Sequence, residues 1–464
     1  MTRTESVLTS APKTPPDWAG HSGNVDALID TPRLSGLQIQ LFAICAFVLF
    51  CEGYDLQALA LAVPDISGEF GIAASGFSIA LSASLFGMAI GGAGFAPLGD
   101  RIGRKPMLIL AMVLTGASTL AALIYPNTLW IAACRLVTGI GLGITTVNTA
   151  AIMGDYAPAK WRFLIMTLAN CFVPGGAFTA AFIAPGVIES ISWRGIFLVG
   201  GVVPIAAAVV VWLMAPESLK WLVAAKPGDR RIAQILGKVA PGLDPARLFL
   251  PQSQTQERVS VIGLLSQAHW IRTLVIWLST GSGAFCLYLM VSWLPTILRE
   301  AQWSMADALF GAAAVQLGGI VGSLLIAWAI DRRYLLAGLI GGYACSGLAL
   351  MAIGLLPGSV LGWKFLLVLV GAGISGIQGI WISIAVVLYP PKLRATSAGW
   401  VAAMSRIGAV SAPMVGGAAL AANMEAKNLL LALIIPIGAS VLAITLARRH
   451  FATPPPVKEE GETP

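Results

Sequence analysis

The sequence predicts an all-α membrane protein of twelve transmembrane helices in two six-helix, pseudo-symmetric halves. Three observations predict it. The chain is 57% hydrophobic and only 11% charged. Its apolar residues fall into twelve segments, each long enough to cross a bilayer, with one long polar break in the middle. Two stretches of the first half recur in the second at a nearly constant offset.

Composition comes first. Soluble globular chains carry about 25% charged residues, and the 464 residues here carry less than half that share. The formal net charge of +7 does not point to nucleic acid, because Lys and Arg are spread between apolar segments rather than massed in one patch. The start is not a secretory signal: residues 1–36 are rich in Pro, Ser and Thr and carry Asp17, Asp26 and Asp30, where a signal would show a short basic start and an apolar core. The segment reads as a mobile cytoplasmic tail, and residues 449–464 read as a second polar tail. The six cysteines lie in apolar segments without a CxxC pair, as small packing residues do. No metal site and no cofactor is expected.

A membrane-spanning helix needs about 20 apolar residues. The predicted spans are 37–62, 78–98, 107–126, 129–152, 163–187 and 194–214 in a first half (37–214), and 271–297, 306–330, 334–356, 363–388, 396–421 and 428–448 in a second (271–448). The polar loop 215–270 separates them. With both termini in the cytoplasm, tails and cytoplasmic loops hold 23 of the 29 Lys and Arg residues. The outer loops then hold Arg194, Arg299, Lys364 and Lys427, and Arg135 and Arg406 fall inside helices. This imbalance is the positive-inside pattern, so this orientation is expected.

The repeat is specific. Gly87, Gly91 and Asp100 in "GMAIGGAGFAPLGDR" match Gly318, Gly322 and Asp331 in "GGIVGSLLIAWAIDR", 231 residues on. Pro64 and Pro295, each expected to end the first helix of its half, share that offset. Arg162 of "YAPAKWR" and Arg394 of "YPPKLR" differ by 232. The halves are therefore parallel duplicates.

"GDRIGRKP" (Gly99 to Pro106), "RLVTGIGLG" (Arg135 to Gly143) and "PESLKWL" (Pro216 to Leu222) resemble motifs of the major facilitator superfamily, whose plan is two such halves with the site near the midplane between them. One position departs: the Gly usual four residues before the Asp is Ala96. Within the superfamily, "EGYDLQA", "YLMVSWLP" and "RATSAGWVAAMSRIGA" look like the aromatic acid:proton symporters, which import benzoates, hydroxybenzoates, hydroxyphenylpropionates and related lignin-derived acids. The resemblance covers about residues 37–450. It implies a bacterial inner-membrane importer, acting on protons and a small aromatic carboxylate, and a monomer with no nucleic-acid partner is expected. The loop "DRRYLL" lacks the full basic tail and any histidine, so a role placed there in relatives does not carry over.

Glu52 and Asp55 lie i and i+3 on one helix. An ionised carboxylate at the bilayer centre costs at least ~2.5 kcal/mol, so each must be neutral, paired or facing water. Burial and a like charge alongside both favour the neutral form, so two acids on one face can hand a proton between them. A structural use, as hydrogen-bonded polar groups, is the alternative. Arg135 lies at a depth similar to Asp55 and is the expected partner; the resemblance places both on helices lining the central cavity. Arg406 lies near the midplane, where a guanidinium can grip a carboxylate with two parallel hydrogen bonds. Tyr54, Phe285, Tyr288, Trp293 and Trp381 are candidates for a flat aromatic slot, against lipid-facing packing. Gln316, Gln378, Asn148 and Asn170 either read substrate hydroxyls or bridge helices. Asp100, Arg101, Arg104 and Lys105, with Arg162, Asp331, Arg332 and Arg394, are a solvated basic cluster on the bland reading. The resemblance implies gating, with Asp100 capping or pairing across the interface between the halves and holding the outward-open state. Without a Walker motif, ATP is not the expected energy source. No nucleophile–base pair lies in the helices, so an enzyme is not expected. A sugar, polyol or aliphatic-acid symporter and a proton-driven exporter remain the rival readings; the exporter's helix 5 motif is matched only in part by "VPGGAFTAAFIAPG".

Overall fold

The computed structural model describes residues 34–451 except 126, 240–247, 249–262, 267–268, 333 and 356–358, together with Val25 and Ile29. Most of the two tails and the middle of the loop 215–270 lie outside the described residues. The first half comprises α1 (Gly36–Phe70), α2 (Ala74–Ile102), α3 (Arg104–Ala121), α4 (Thr128–Tyr156), α5 (Leu164–Ile191) and α6 (Arg194–Met214). The second comprises α7 (Trp270–Glu300), α8 (Met305–Asp331), α9 (Leu335–Leu355), α10 (Val360–Ala385), α11 (Pro391–Ala421) and α12 (Lys427–Leu446). Among the described residues there is no strand. Ten of these helices are long and apolar enough to cross a membrane by length and composition alone. The other two are α3, which opens on Arg104 and Lys105, and α11, which carries Arg394 and Arg406; both are packed into the bundle.

Local sequence sets the helix ends. Ser35 and Gln38 form a reciprocal capping box at the start of α1. Asn127, Ser304 and Ser359 accept backbone N–H bonds at the starts of α4, α8 and α10, each cap contributing about 1 kcal/mol. Gly71, at φ +65°, ends α1 in the left-handed conformation. Pro64 and Pro295 do not end their helices as expected; α1 runs on to Phe70 and α7 to Glu300. Each proline removes one backbone donor, and packing in the bundle offsets that loss. At Val25 and Ile29 the tail is not free: both are helical and buried, against the same core as Ile232, Ile235 and Leu236 of the loop helix Arg230–Val239.

Packing repeats between the halves. α1 packs on α5 as α7 does on α11, α2 on α4 as α8 on α10, and α3 on α6 as α9 on α12. The duplicated glycines make the second of these pairs. A Cβ on Gly87 would fall 2.3 Å from Leu136 O, and one on Gly318 would fall 2.0 Å from Val368 O. Gly91 and Gly322 are equally tight against Ile140 O and Ala372 O, at 2.1 and 2.0 Å. These positions need the missing side chain, because the backbones themselves touch. The two arginines of the second repeat also match: Arg162 bonds Ala157 O and Arg394 bonds Tyr389 O, each five residues back.

The halves meet through α2–α11, α5–α8 and α1–α7. Their polar and aromatic contacts gather toward the end where α1 stops and α2 starts. Gln57 Nε2 donates to Val291 O (3.2 Å) and Gln316 Nε2 donates to Gln57 Oε1 (3.1 Å). Ser82 Oγ donates to Val410 O (3.0 Å). Phe182 and Phe310 lie with ring centroids 5.6 Å apart.

Gly87→Ala and Gly318→Ala should each lower the thermal midpoint in detergent, by about 1–3 kcal/mol of stability, the usual cost of overpacking. Gly92→Ala, whose nearest neighbour would be 3.6 Å away, should change stability by less than about 0.5 kcal/mol.

Candidate functional site

The site is built in two parts, both reached from α1. In the first, Asp55 is 0% exposed and Arg135 1%. Arg135 Nη1 donates to Asp55 Oδ2 at 2.9 Å, and Arg135 Nη2 donates to Asp55 O at 3.0 Å. Thr119 of α3 donates to Asp55 Oδ1 at 3.0 Å. Two full charges in an apolar bundle persist only when paired and hydrogen-bonded, and this pair meets both conditions. Asp55 and Arg135 therefore lie at the same depth in the bundle, as expected.

In the second part, Glu52 is 4% exposed. Thr146 of α4 donates to its Oε1 at 2.8 Å, while its Oε2 is buried without a hydrogen-bond partner. Glu52 and Asp55 thus share the α4-facing side of α1 but have different partners. Tyr288 packs on the Leu85–Met88 cluster, the same Met88 that Arg406 reaches. Arg406 is half-buried on α11, and its Nη1 donates to the Met88 thioether at 3.8 Å, a weak acceptor. One residue earlier, Ser405 takes a hydrogen bond from Gln378 Nε2 at 3.0 Å; Gln378 Oε1 is buried and unpartnered. A guanidinium with no ion pair among the described residues and a tyrosine therefore lie by Met88 between the halves, whereas the Gln378 carbonyl is turned to Gly283 and Tyr343 within the second half. Arg135 and Tyr288 also line one small cavity, about 10 Å³, with Ser84 and Ser292. The two parts of the site meet there. Leu85, Met88, Leu142 and Ala409, with Leu56 and Val410, pack apolar surface beside it from both halves.

Other expected residues are placed elsewhere. Tyr54 donates to Ile196 O of α6 at 3.2 Å, inside its own half. Trp293 is 0% exposed and donates to Pro413 O at 3.0 Å, tying α7 to α11. Trp381 is also buried and reaches the Tyr343 hydroxyl at 3.2 Å. None of these three joins Tyr288 in one slot; each indole or phenol had a bond to satisfy, and the nearest one lay within its own half. Gln316 bridges helices through Gln57. Asn148 bonds Ile144 O of its own helix and packs against Gly99, and Asn170 bonds Met166 O at an exposed position.

The loop cluster pairs locally. Asp100 is exposed and lies 3.5 Å from Arg104 in its own loop. Arg104 is held by Asp155 and by Ala151 O of α4. Glu217 Oε1 accepts the backbone N–H groups of Arg104, Lys105 and Ser218, which joins "GDRIGRKP" to "PESLKWL". Arg101 is exposed, and Arg332 lies over the Trp328 ring at 5.3 Å. The Asp331 side chain lies outside the described residues. Among the described residues, the ion-pair partner of Asp100 is Arg104 of its own half. Sequence reading passed over Gln57, Thr119, Thr146, Asp155 and Glu217. Gln57 and Glu217 stood inside quoted motifs and carried a signal; the two threonines carried none, since threonine is common on helix surfaces.

The model of the Major Facilitator Superfamily matches residues 45–413. The 4-hydroxybenzoate transporter PcaK of Pseudomonas aeruginosa is 31% identical over 91% of this chain and 95% of its own. The chain belongs to the major facilitator superfamily, in its aromatic acid:proton symporter branch. The gallate transporter of Pseudomonas putida is 30% identical over 91% of this chain and 94% of its own. The 3-(3-hydroxy-phenyl)propionate transporter of Escherichia coli is 29% identical, over 84% and 89%. In fold, the chain is similar to a bacterial homologue of the human lysosomal transporter Spinster, inward-facing and occupied, at TM-score 0.68 and 16% identity over 90% of this chain and 99% of that one. It is also similar to the partially occluded inward-open xylose transporter XylE of Escherichia coli, at TM-score 0.67 and 15% identity, over 89% and 99%.

Removing one partner of a buried pair strands the other. Arg135→Gln should therefore lower stability by about 3–5 kcal/mol. The double variant Asp55→Asn/Arg135→Gln should recover a large part of that loss. Thermal unfolding of wild type, both single variants and the double variant measures the coupling.

Proposed function

We propose that this transporter is a proton-coupled importer of an aromatic carboxylic acid, working by alternating access in the bacterial inner membrane. The carrying observation is Arg406: a half-buried guanidinium between the halves, facing a thioether instead of a carboxylate. Such a group binds an anion with charge-assisted, bidentate hydrogen bonds. Tyr288, packed on the same Met88 cluster, offers a ring face and a hydroxyl. The relatives named for 4-hydroxybenzoate, gallate and hydroxyphenylpropionate support an aromatic acid of the same class. The chain acts as a carrier and not an enzyme, as a monomer, with both termini cytoplasmic by its Lys and Arg distribution.

In this orientation the end where α1 stops is periplasmic. The contacts of Gln57, Ser82 and Phe182 then close the outer side, while Asp100 and Arg101 stand exposed at the cytoplasmic end. Asp55 and Glu52 are the proton-handling acids. Protonation of Asp55 removes the anion that holds Arg135, and the tie between α1 and α4 loosens. Glu52, beside Arg406, is neutral when the substrate carboxylate binds, since two carboxylates on one guanidinium repel. Asp100, Arg101, Arg104, Lys105, Arg162, Asp331, Arg332 and Arg394 act in gating the cytoplasmic end, with Arg104 and Lys105 steadied by Asp155 and Glu217.

In proteoliposomes, an inward proton gradient should drive accumulation of a hydroxybenzoate; benzoates should compete and sugars should not. Asp55→Asn should abolish gradient-driven accumulation. If that variant accumulates substrate like wild type, the coupling role is wrong. Arg406→Gln should raise KM for the acid about 10- to 100-fold, the loss of a hydrogen bond to a charged group, and a neutral aromatic amide should not show that loss.

A further inference from the structure

A second concavity lies far from the central site, on the outer face of the first half between α3 and α6. It measures about 550 Å³ and is bordered by the loop helix Arg230–Val239. Its wall is apolar: Ile109, Leu110 and Val113 of α3 and Trp212 of α6. Leu110 is 55% exposed and Trp212 63%. In a membrane chain, such surface faces acyl chains, and a tryptophan near a helix end sits at headgroup level.

Two cations stand at its mouth. Lys105 Nζ donates to Trp212 O at 2.8 Å, which leaves two N–H groups. Arg231 is fixed by Asp229 through Nε and Nη2, and Nη1 takes no part in that pairing. Asp229 is held down to about 2 by these bonds from Arg231, so the guanidinium stays in place across the neutral range. Arg230 is exposed beside it. Glu217 also borders the groove. Its Oε1 is taken up by three backbone N–H groups, and its Oε2 is turned to Gly103, where an added Cβ would fall 2.6 Å away.

We propose that this groove seats one anionic phospholipid of the cytoplasmic leaflet. Its phosphate lies between Lys105 Nζ and Arg231 Nη1, and an acyl chain lies along Leu110, Val113 and Trp212. Basic pockets between helices at the cytoplasmic side are suited to such headgroups, and the continuity of cationic mouth with apolar wall selects a lipid over a free anion. The seat touches the Arg104–Asp155–Glu217 cluster through Lys105, so a bound lipid steadies the loop between α2 and α3.

The test uses the full chain in detergent, delipidated, with native mass spectrometry at graded lipid concentration. Wild type should bind one phosphatidylglycerol at least about fivefold more tightly than phosphatidylcholine. Arg231→Gln and Trp212→Ala, both at exposed positions, should each cut that affinity about fivefold, with an unchanged thermal midpoint in lipid-free detergent. Equal affinity for the two lipids, unchanged binding in the Arg231→Gln/Trp212→Ala double variant, or displacement of the lipid by millimolar inorganic phosphate would overturn the proposal.

Discussion

The buried Asp55–Arg135 pair is the constraint around which the first half is organised. Neither charge has water to turn to, and each would be costly alone. The pair fixes the rotation of α1 against α4, and Thr119 adds α3 to the same point. Once that rotation is set, Glu52 must meet Thr146, and Tyr54 must turn to α6. Among the described residues, the second half has no equivalent buried pair. Its corresponding helices are joined instead by Trp293, Trp381 and Tyr343, whose polar tips find carbonyls and hydroxyls at the end of apolar bodies.

This division of labour bears on the proposed cycle. The half held by an ion pair can change its internal ties when a proton arrives, whereas the indole ties of the second half carry no charge to lose. Arg406 stands on that second half and Glu52 on the first, so the substrate carboxylate would lie at the boundary between a responsive half and a fixed one. The duplication supplied two copies of the scaffold, and the polar substitutions made them different.

Much of the fold was legible in the sequence because bilayer physics leaves few choices: apolar length gives the spans, and the 231-residue offset gives the halves. The α2–α4 and α8–α10 contacts were legible through Gly87, Gly91, Gly318 and Gly322, since glycine at such spacing serves close approach. The prolines misled, because Pro64 and Pro295 break a soluble helix more readily than one supported by neighbours. In the site, charge was the readable signal. Asp55, Arg135, Glu52 and Arg406 stood out because each is expensive where it lies. The aromatic residues did not sort themselves, because tryptophan is equally at home tying two helices or facing a ligand. Only the hydrogen-bond partners of Trp293 and Trp381 separate them from Tyr288. Thr119 and Thr146 were invisible for the opposite reason, being inexpensive almost anywhere.

Asp55 and Gln57 are two residues apart on one helix, so their side chains leave α1 about 200° apart. One reaches α4 and α3; the other reaches α7 and α8. The helix is thus a camshaft with a lobe in each half, and a small roll about its axis tightens one contact as it slackens the other. A chemical event confined to the first half is then mechanically legible to the second through the Gln57 side chain alone, with no change in any charge of the second half.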